Sequence, residues 1–146
     1  MMENLNSLAA LQTEWQDVIR MRERMDQLVI SMFASDPITS PVFGNILYNL
    51  PFLLAIEVLK QALLQLGKVG QWMDPRYPLR DLMDRAENSV AWIDWQCLRE
   101  NAERGNELAC YGRLFGDEQC LQGIAAIEAQ LLAWGVIPAV KPAGGR

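Results

Sequence analysis

The stretch ILYNLPFLLAIEVLKQALLQL, residues 46–66, decides the fold class of this chain. Its apolar residues recur on nearly every side of a helix, and polar residues leave only a narrow strip to face water. That strip consists of Glu57, Gln61, Gln65 and Lys68. Because polar residues and Pro51 interrupt the run, we expect a buried helix rather than a membrane span. Such a helix must lie at the centre of a bundle or in a subunit interface.

The boundaries of this helix follow from its flanking residues. Ser40 followed by Pro41 is typical of an N-cap and a first helical residue. Gly67 is suited to the C-terminal cap. We therefore predict a helix from Ser40 to about Leu66, with a kink near Pro51.

A long first helix is predicted over residues 5–33, where apolar residues recur at alternating steps of three and four. Arg22 occupies one place in that apolar stripe. We expect its stem to lie on apolar surface while its guanidinium reaches water. The alternative is a functional cation that faces the core.

Three more helices complete the prediction. They cover residues 79–86, about 89–114, and a last segment that begins with Asp117 as N-cap and ends at Gly135. We find neither a strand pattern nor an internal repeat. The fold class is therefore all-α: a single helical bundle of about four to five helices over residues 1–138, followed by a flexible tail at 139–146.

Composition disfavours several classes of function. The net charge of −5 and the pI of about 4.7 count against a general nucleic-acid binder. The chain has no histidine, which removes the commonest general base and metal ligand. Its three cysteines form no Cys-x-x-Cys, so we expect free thiols and a cytoplasmic location. With no Gly-rich phosphate loop and no signal peptide in sight, we predict no cofactor, no metal and no membrane association.

Polar and reactive residues crowd together in residues 103–114. Within this stretch, Gly105-Asn106-Glu107-Leu108-Ala109-Cys110 resembles the motif of the HEPN superfamily, which is Arg, a polar residue, two or three variable residues, Ala and His. HEPN domains are helical bundles, usually dimeric, that occur in toxin–antitoxin and defence systems. Active members place the Arg and His in the dimer cleft and cleave RNA without a metal. In this chain Gly105 stands at the Arg position and Cys110 at the His position.

The resemblance implies a set of candidate site residues. Arg104, Asn106, Cys110 and Tyr111 are the catalytic candidates, and Asn101, Arg104, Asn106 and Arg113 are the candidates for binding a ligand. Asn106 and Cys110 are four apart and should share a helix face. The structural alternatives are a buried apolar Cys110 and a Gly105 that serves close helix packing.

Three functional hypotheses follow. The first is a non-catalytic HEPN-like homodimer that binds a partner protein or a nucleotide- or RNA-type ligand in a remnant cleft. The resemblance implies a toxin–antitoxin or defence setting for it, with a nucleotidyltransferase-like antitoxin as the cognate partner. The second is an active, metal-independent RNase with a displaced site. The third is an unrelated helical interaction module that binds through its apolar second helix. The absence of histidine favours the first and third.

Overall fold

The computed structural model describes residues 2–35, 46–67 and 76–138, and in these ranges the protein is all-α, with five helices and no strand. This confirms the predicted helical bundle. The helices are α1 (Met2–Ser35), α2 (Asn49–Gly67), α3 (Leu79–Ala86), α4 (Trp95–Tyr111) and α5 (Asp117–Ala133). The predicted helix start at Ser40–Pro41 and the predicted tail at 139–146 lie outside the described residues.

Helix α2 is the centre of the bundle, because it packs against each of the four other helices. Its inward side chains are almost completely buried: Phe52, Ala55, Leu59, Ala62 and Leu63. Residues 49–66 are long and apolar enough to cross a membrane by length and composition, but half of that span is buried inside the bundle. A core helix passes the same test, so the observation is weak evidence for a membrane span.

The kink predicted near Pro51 is present as a break in the helix at Tyr48. Ile46 and Leu47 have helical backbone, Tyr48 forms a turn, and α2 begins at Asn49. Proline has no N–H to donate and its ring clashes with the carbonyl four residues earlier, which here belongs to Leu47. Pro51 is tolerated because it lies in the first turn of α2, where N–H groups have no partner in the helix.

Asn49 joins the start of α2 to the segment before α5. Its side chain accepts a hydrogen bond from the Phe115 N–H and donates one to the Phe115 carbonyl, both at 2.8 Å. At the same end of the bundle, the Tyr48 hydroxyl donates to Asp26 of α1. Because α2 and α5 both start at this end of the bundle, they run parallel to each other. Helix α1 reaches the same end with Asp26, which lies in its C-terminal half, so α1 runs antiparallel to both.

Helix α4 is shorter than predicted at both ends. It begins at Trp95 because Asp94 Oδ1 accepts the Cys97 N–H at 3.1 Å and so caps the helix. It ends at Tyr111 because Gly112 takes a left-handed conformation with φ of 65°. The predicted helical start near residue 89 is therefore wrong, since residues 87–94 form a connection between α3 and α4.

The N-cap of α5 lies one residue before the predicted cap. Gly116 is the N-cap, and Asp117 is the first helical residue. The predicted end is confirmed at Gly135, which has φ of 73° and donates its N–H to the Leu132 carbonyl at 3.0 Å.

Candidate functional site

Helix α4 carries most of the predicted site residues, and its inward face is defined by small and polar side chains. Leu98, Asn101, Ala102 and Gly105 are buried. A Cβ at Gly105 would lie 3.0 Å from both Cγ atoms of Ile56 on α2, so Gly105 allows the two helices to approach closely. This geometry fits the packing interpretation of Gly105. A side chain at this position, arginine included, would require Ile56 to shift.

Asn101 is the polar residue of this inward face, with only 3 % of its surface exposed. Its amide donates to the Cys97 carbonyl at 2.9 Å, and its Oδ1 accepts from Arg104 Nη1 at 3.3 Å. Asn101 and Arg104 therefore form a polar pair on α4. The pair satisfies the buried amide, which would otherwise destabilise the fold.

Arg104 also lines a surface cleft of about 430 Å³ where the end of α4 meets the 113–116 segment. Arg113 lies on the same cleft, and its Nη1 is 2.9 Å from Glu107 Oε2. Three carboxylates share the lining: Glu100, Glu103 and Glu107. The cleft thus brings two predicted ligand-binding residues together beside three carboxylates.

Asn106 and Cys110 lie on a different side of α4. The Cys110 thiol donates to Asn106 Oδ1 at 3.5 Å, which confirms that the two residues share a helix face. Neither residue lines the cleft of Arg104. Positions two apart on a helix, such as Arg104 and Asn106, differ by about 200° around its axis. A single chain therefore does not assemble these catalytic candidates into one site.

Tyr111 and Cys110 are both solvent-exposed, and Tyr111 has 80 % of its surface accessible. Cys110 is therefore not the small buried apolar residue of the structural alternative. The other two thiols are more enclosed. Burial raises the pKa of Cys97, and burial raises the pKa of Cys120 to about 11, which keeps both protonated and unreactive near neutral pH.

The carboxylates of α4 are held mainly in ion pairs. Glu103 accepts from Arg80 at 2.8 Å and from Arg99 at 3.1 Å. The hydrogen bond from Arg99 is the main cause that lowers the pKa of Glu103. Across residues 2–35, 46–67 and 76–138, no group of three or more Cys, Asp or Glu side chains could hold a metal ion.

Comparison with protein-family models, curated proteins and solved structures finds no match for this chain.

A second feature is an apolar groove of about 340 Å³ beside the start of α2. We call its six apolar lining residues the apolar surface: Met25, Ile46, Leu47, Leu50, Leu53 and Leu108. Leu50 is 49 % exposed and Ile46 is 38 % exposed, so large aliphatic groups face water here. The remaining lining residue, Asn49, is uncharged. The sequence indicated the α2 part of this surface; Met25 and Leu108 were visible only as members of the stripes on α1 and α4.

Proposed function

We propose that this protein is a non-catalytic helical interaction module that forms a homodimer through the apolar surface. The exposure of Leu50 and Ile46 beside an uncharged groove is the observation that carries the proposal. Each Å² of apolar area that a partner removes from water contributes about 25 cal/mol. A contiguous apolar patch on a charged protein is typical of an interface.

The charge of the chain favours a second copy that meets the surface with the same patch. Each chain carries a net charge of −5, so two copies repel each other wherever charged faces meet. Among the described residues, none that lines the groove is charged, so an isologous contact there brings few like charges together. The resemblance to HEPN domains, which are usually dimers, supports the same arrangement.

A non-catalytic role is supported by the separation of the motif residues on α4. Arg104 lies on the acidic cleft, Asn106 and Cys110 lie on another face, and Gly105 packs against Ile56. A toxin–antitoxin or defence setting, with a nucleotidyltransferase-like protein as cognate partner, belongs to the proposal through the resemblance alone. A cytoplasmic location is likewise proposed, in keeping with the three free cysteines.

We favour a protein partner over RNA or a nucleotide because of the charge of the chain. Its net charge is −5, and three carboxylates line the cleft of Arg104 and Arg113, where they repel phosphates. The alternative of an RNase with a displaced site is tested by incubating the protein with mixed RNA. Cleavage that Arg104→Ala abolishes would establish that alternative, whereas we expect no cleavage above background from either protein.

Self-association is tested by comparing Leu50→Glu with Ile93→Glu in sedimentation equilibrium. Both substitutions place a carboxylate at an exposed aliphatic position, since Ile93 is 61 % exposed. Ile93 lies far from the groove, in the connection before α4, where its N–H donates to Gln130. Ile93→Glu is therefore a matched control, because it also replaces an exposed aliphatic side chain by a carboxylate.

We expect Leu50→Glu to weaken the dimer at least a hundredfold, because a symmetric interface buries two copies of the new charge. Ile93→Glu should leave the dissociation constant within about threefold of wild type. Equal dissociation constants for the two variants would show that the apolar surface is not the interface. Circular dichroism of each variant checks that the helices are intact.

A further inference from the structure

A separate groove of about 510 Å³ runs between α1 and α5, and the proposed dimer does not use it. Trp15, Ile19 and Ile137 provide apolar lining, and Trp15 is fully buried beneath it. Arg22 and Glu128 add one charge of each sign. The volume and the mixture of apolar walls with a few polar groups are those of a small-molecule site.

The two charges lie on opposite walls of this groove, Arg22 on α1 and Glu128 on α5. Gln12 Nε2 donates to the Val136 carbonyl at 3.2 Å, which fixes one end. Arg22 is roughly 15 Å from Gln12 along α1, and Glu128 is roughly 8 Å before the end of the antiparallel α5. Both charges are therefore displaced from the Gln12 end in the same direction, and Trp15 and Ile19 lie between Gln12 and Arg22 on α1.

Both charged side chains are half-buried, and within the described residues neither forms a hydrogen bond or an ion pair. A partly desolvated charge gains most from a partner of opposite sign. A ligand that pairs with both side chains would carry an anionic group for Arg22 and a cationic group for Glu128 on one head group. Its remaining part would be apolar.

We infer that the groove binds an apolar α-amino acid. Its carboxylate would pair with Arg22 and its ammonium group with Glu128. Its side chain would lie along the groove over Trp15 and Ile19. The guanidinium fork suits a carboxylate, and the glutamate accepts from an ammonium group. Arg22 is thus the functional cation that the sequence left as an alternative, although it faces a groove rather than the core.

The test uses L-phenylalanine and two truncated forms of it. The first, 3-phenylpropanoate, lacks the amine, and the second, 2-phenylethylamine, lacks the carboxylate. Binding is followed by NMR through the indole N–H of Trp15. The variants are Arg22→Gln, Glu128→Gln and, as control, Arg20→Gln, whose guanidinium is exposed and paired with Asp17.

We expect phenylalanine to bind wild type about tenfold more tightly than either truncated form, since each loses one charge-assisted contact. The Arg22→Gln variant should bind phenylalanine no more tightly than it binds 2-phenylethylamine. The Glu128→Gln variant should bind phenylalanine no more tightly than it binds 3-phenylpropanoate. Arg20→Gln should keep the tenfold preference.

Three results would overturn the inference: no saturable shift at Trp15, equal binding of all three ligands to wild type, or a loss of preference in Arg20→Gln equal to that in Arg22→Gln. Repeating the titration with Leu50→Glu separates the groove from the dimer. Ligand binding by that variant is expected whether or not the chains associate.

Discussion

Replacing Asn49 by alanine is the most informative test of how the bundle is held together. Asn49 is 5 % exposed, and its one side chain satisfies both the N–H and the carbonyl of Phe115. It also donates to the Ile46 carbonyl at 3.0 Å. The substitution removes all three hydrogen bonds and frees the segment that leads into α5.

The expected loss follows from which backbone groups are left without a partner. The Phe115 carbonyl keeps a weak donor, because the Cys120 thiol lies 3.7 Å from it. The Phe115 N–H loses its partner in a buried position, and such a group costs about 1–3 kcal/mol. With a smaller contribution from the two carbonyls, we expect Asn49→Ala to lower the free energy of unfolding by about 2–3 kcal/mol.

Asn106→Ala is the matched control, because it makes the same change at the motif position. Asn106 is only partly buried and accepts one weak hydrogen bond from the exposed Cys110 thiol. We expect the free energy of unfolding of the Asn106→Ala variant to stay within about 0.5 kcal/mol of wild type. Urea denaturation followed by circular dichroism measures both values, with an unchanged dependence on urea concentration.

The reasoning is refuted if Asn49→Ala unfolds at the same urea concentration as wild type. It is equally refuted if Asn106→Ala costs as much as Asn49→Ala. The second outcome would mean that Asn106 makes stabilising interactions beyond its hydrogen bond with the Cys110 thiol.

Three further predictions concern single side chains. Burial and the bond to Asp26 raise the pKa of Tyr48 from 10.0 to about 12, so its stabilisation is complete below pH 10 and is lost as the pH rises through 12. In urea titrations the stability advantage of wild type over Tyr48→Phe should therefore shrink across that range. A thiol reagent at pH 8 should label the exposed Cys110 well before the buried Cys120, by mass spectrometry of timed samples. Gly123→Ala should lower the free energy of unfolding by about 1–3 kcal/mol, because a Cβ there would lie 2.5 Å from an aromatic carbon.

Each of these has a clear opposite outcome. A stability difference for Tyr48→Phe that is constant from pH 9 to pH 12 would contradict the raised pKa. Rapid labelling that survives Cys110→Ser would place a different thiol at the surface. A Gly123→Ala variant as stable as wild type would show that α2 and α5 do not approach as closely as Phe52 and Gly123 do here.

Periodicity was sufficient to predict the helices, because the apolar residues of α2 require cover on most sides and those of α1 form one stripe. The ends of α4 needed more than periodicity. The stripe of residues 90–115 continues through the connection before Trp95, and only the Asp94 cap and the left-handed Gly112 end the helix. At such positions the chain can either continue the helix or end it at the cap. The pattern of a single sequence does not locate the end of the helix accurately.

The candidate site was predictable only within one helix turn. The spacing of Asn106 and Cys110 placed them on one face, as found. Two stripes can be read on α4, one with Cys97, Asn101 and Arg104 and one of small residues with Ala102 and Gly105, and the sequence did not decide which one faces α2. The structure buries the small-residue stripe with Gly105, together with Asn101. Tertiary contacts decide the orientation of the helix, and they are not encoded in any one segment.

Dimer formation through the apolar surface is decided by the mass of the wild-type protein in solution. Sedimentation equilibrium over a series of concentrations measures that mass. We expect a mass twice the 16.5 kDa of the chain at the higher concentrations. A mass of 16.5 kDa at every concentration would contradict the proposed dimer.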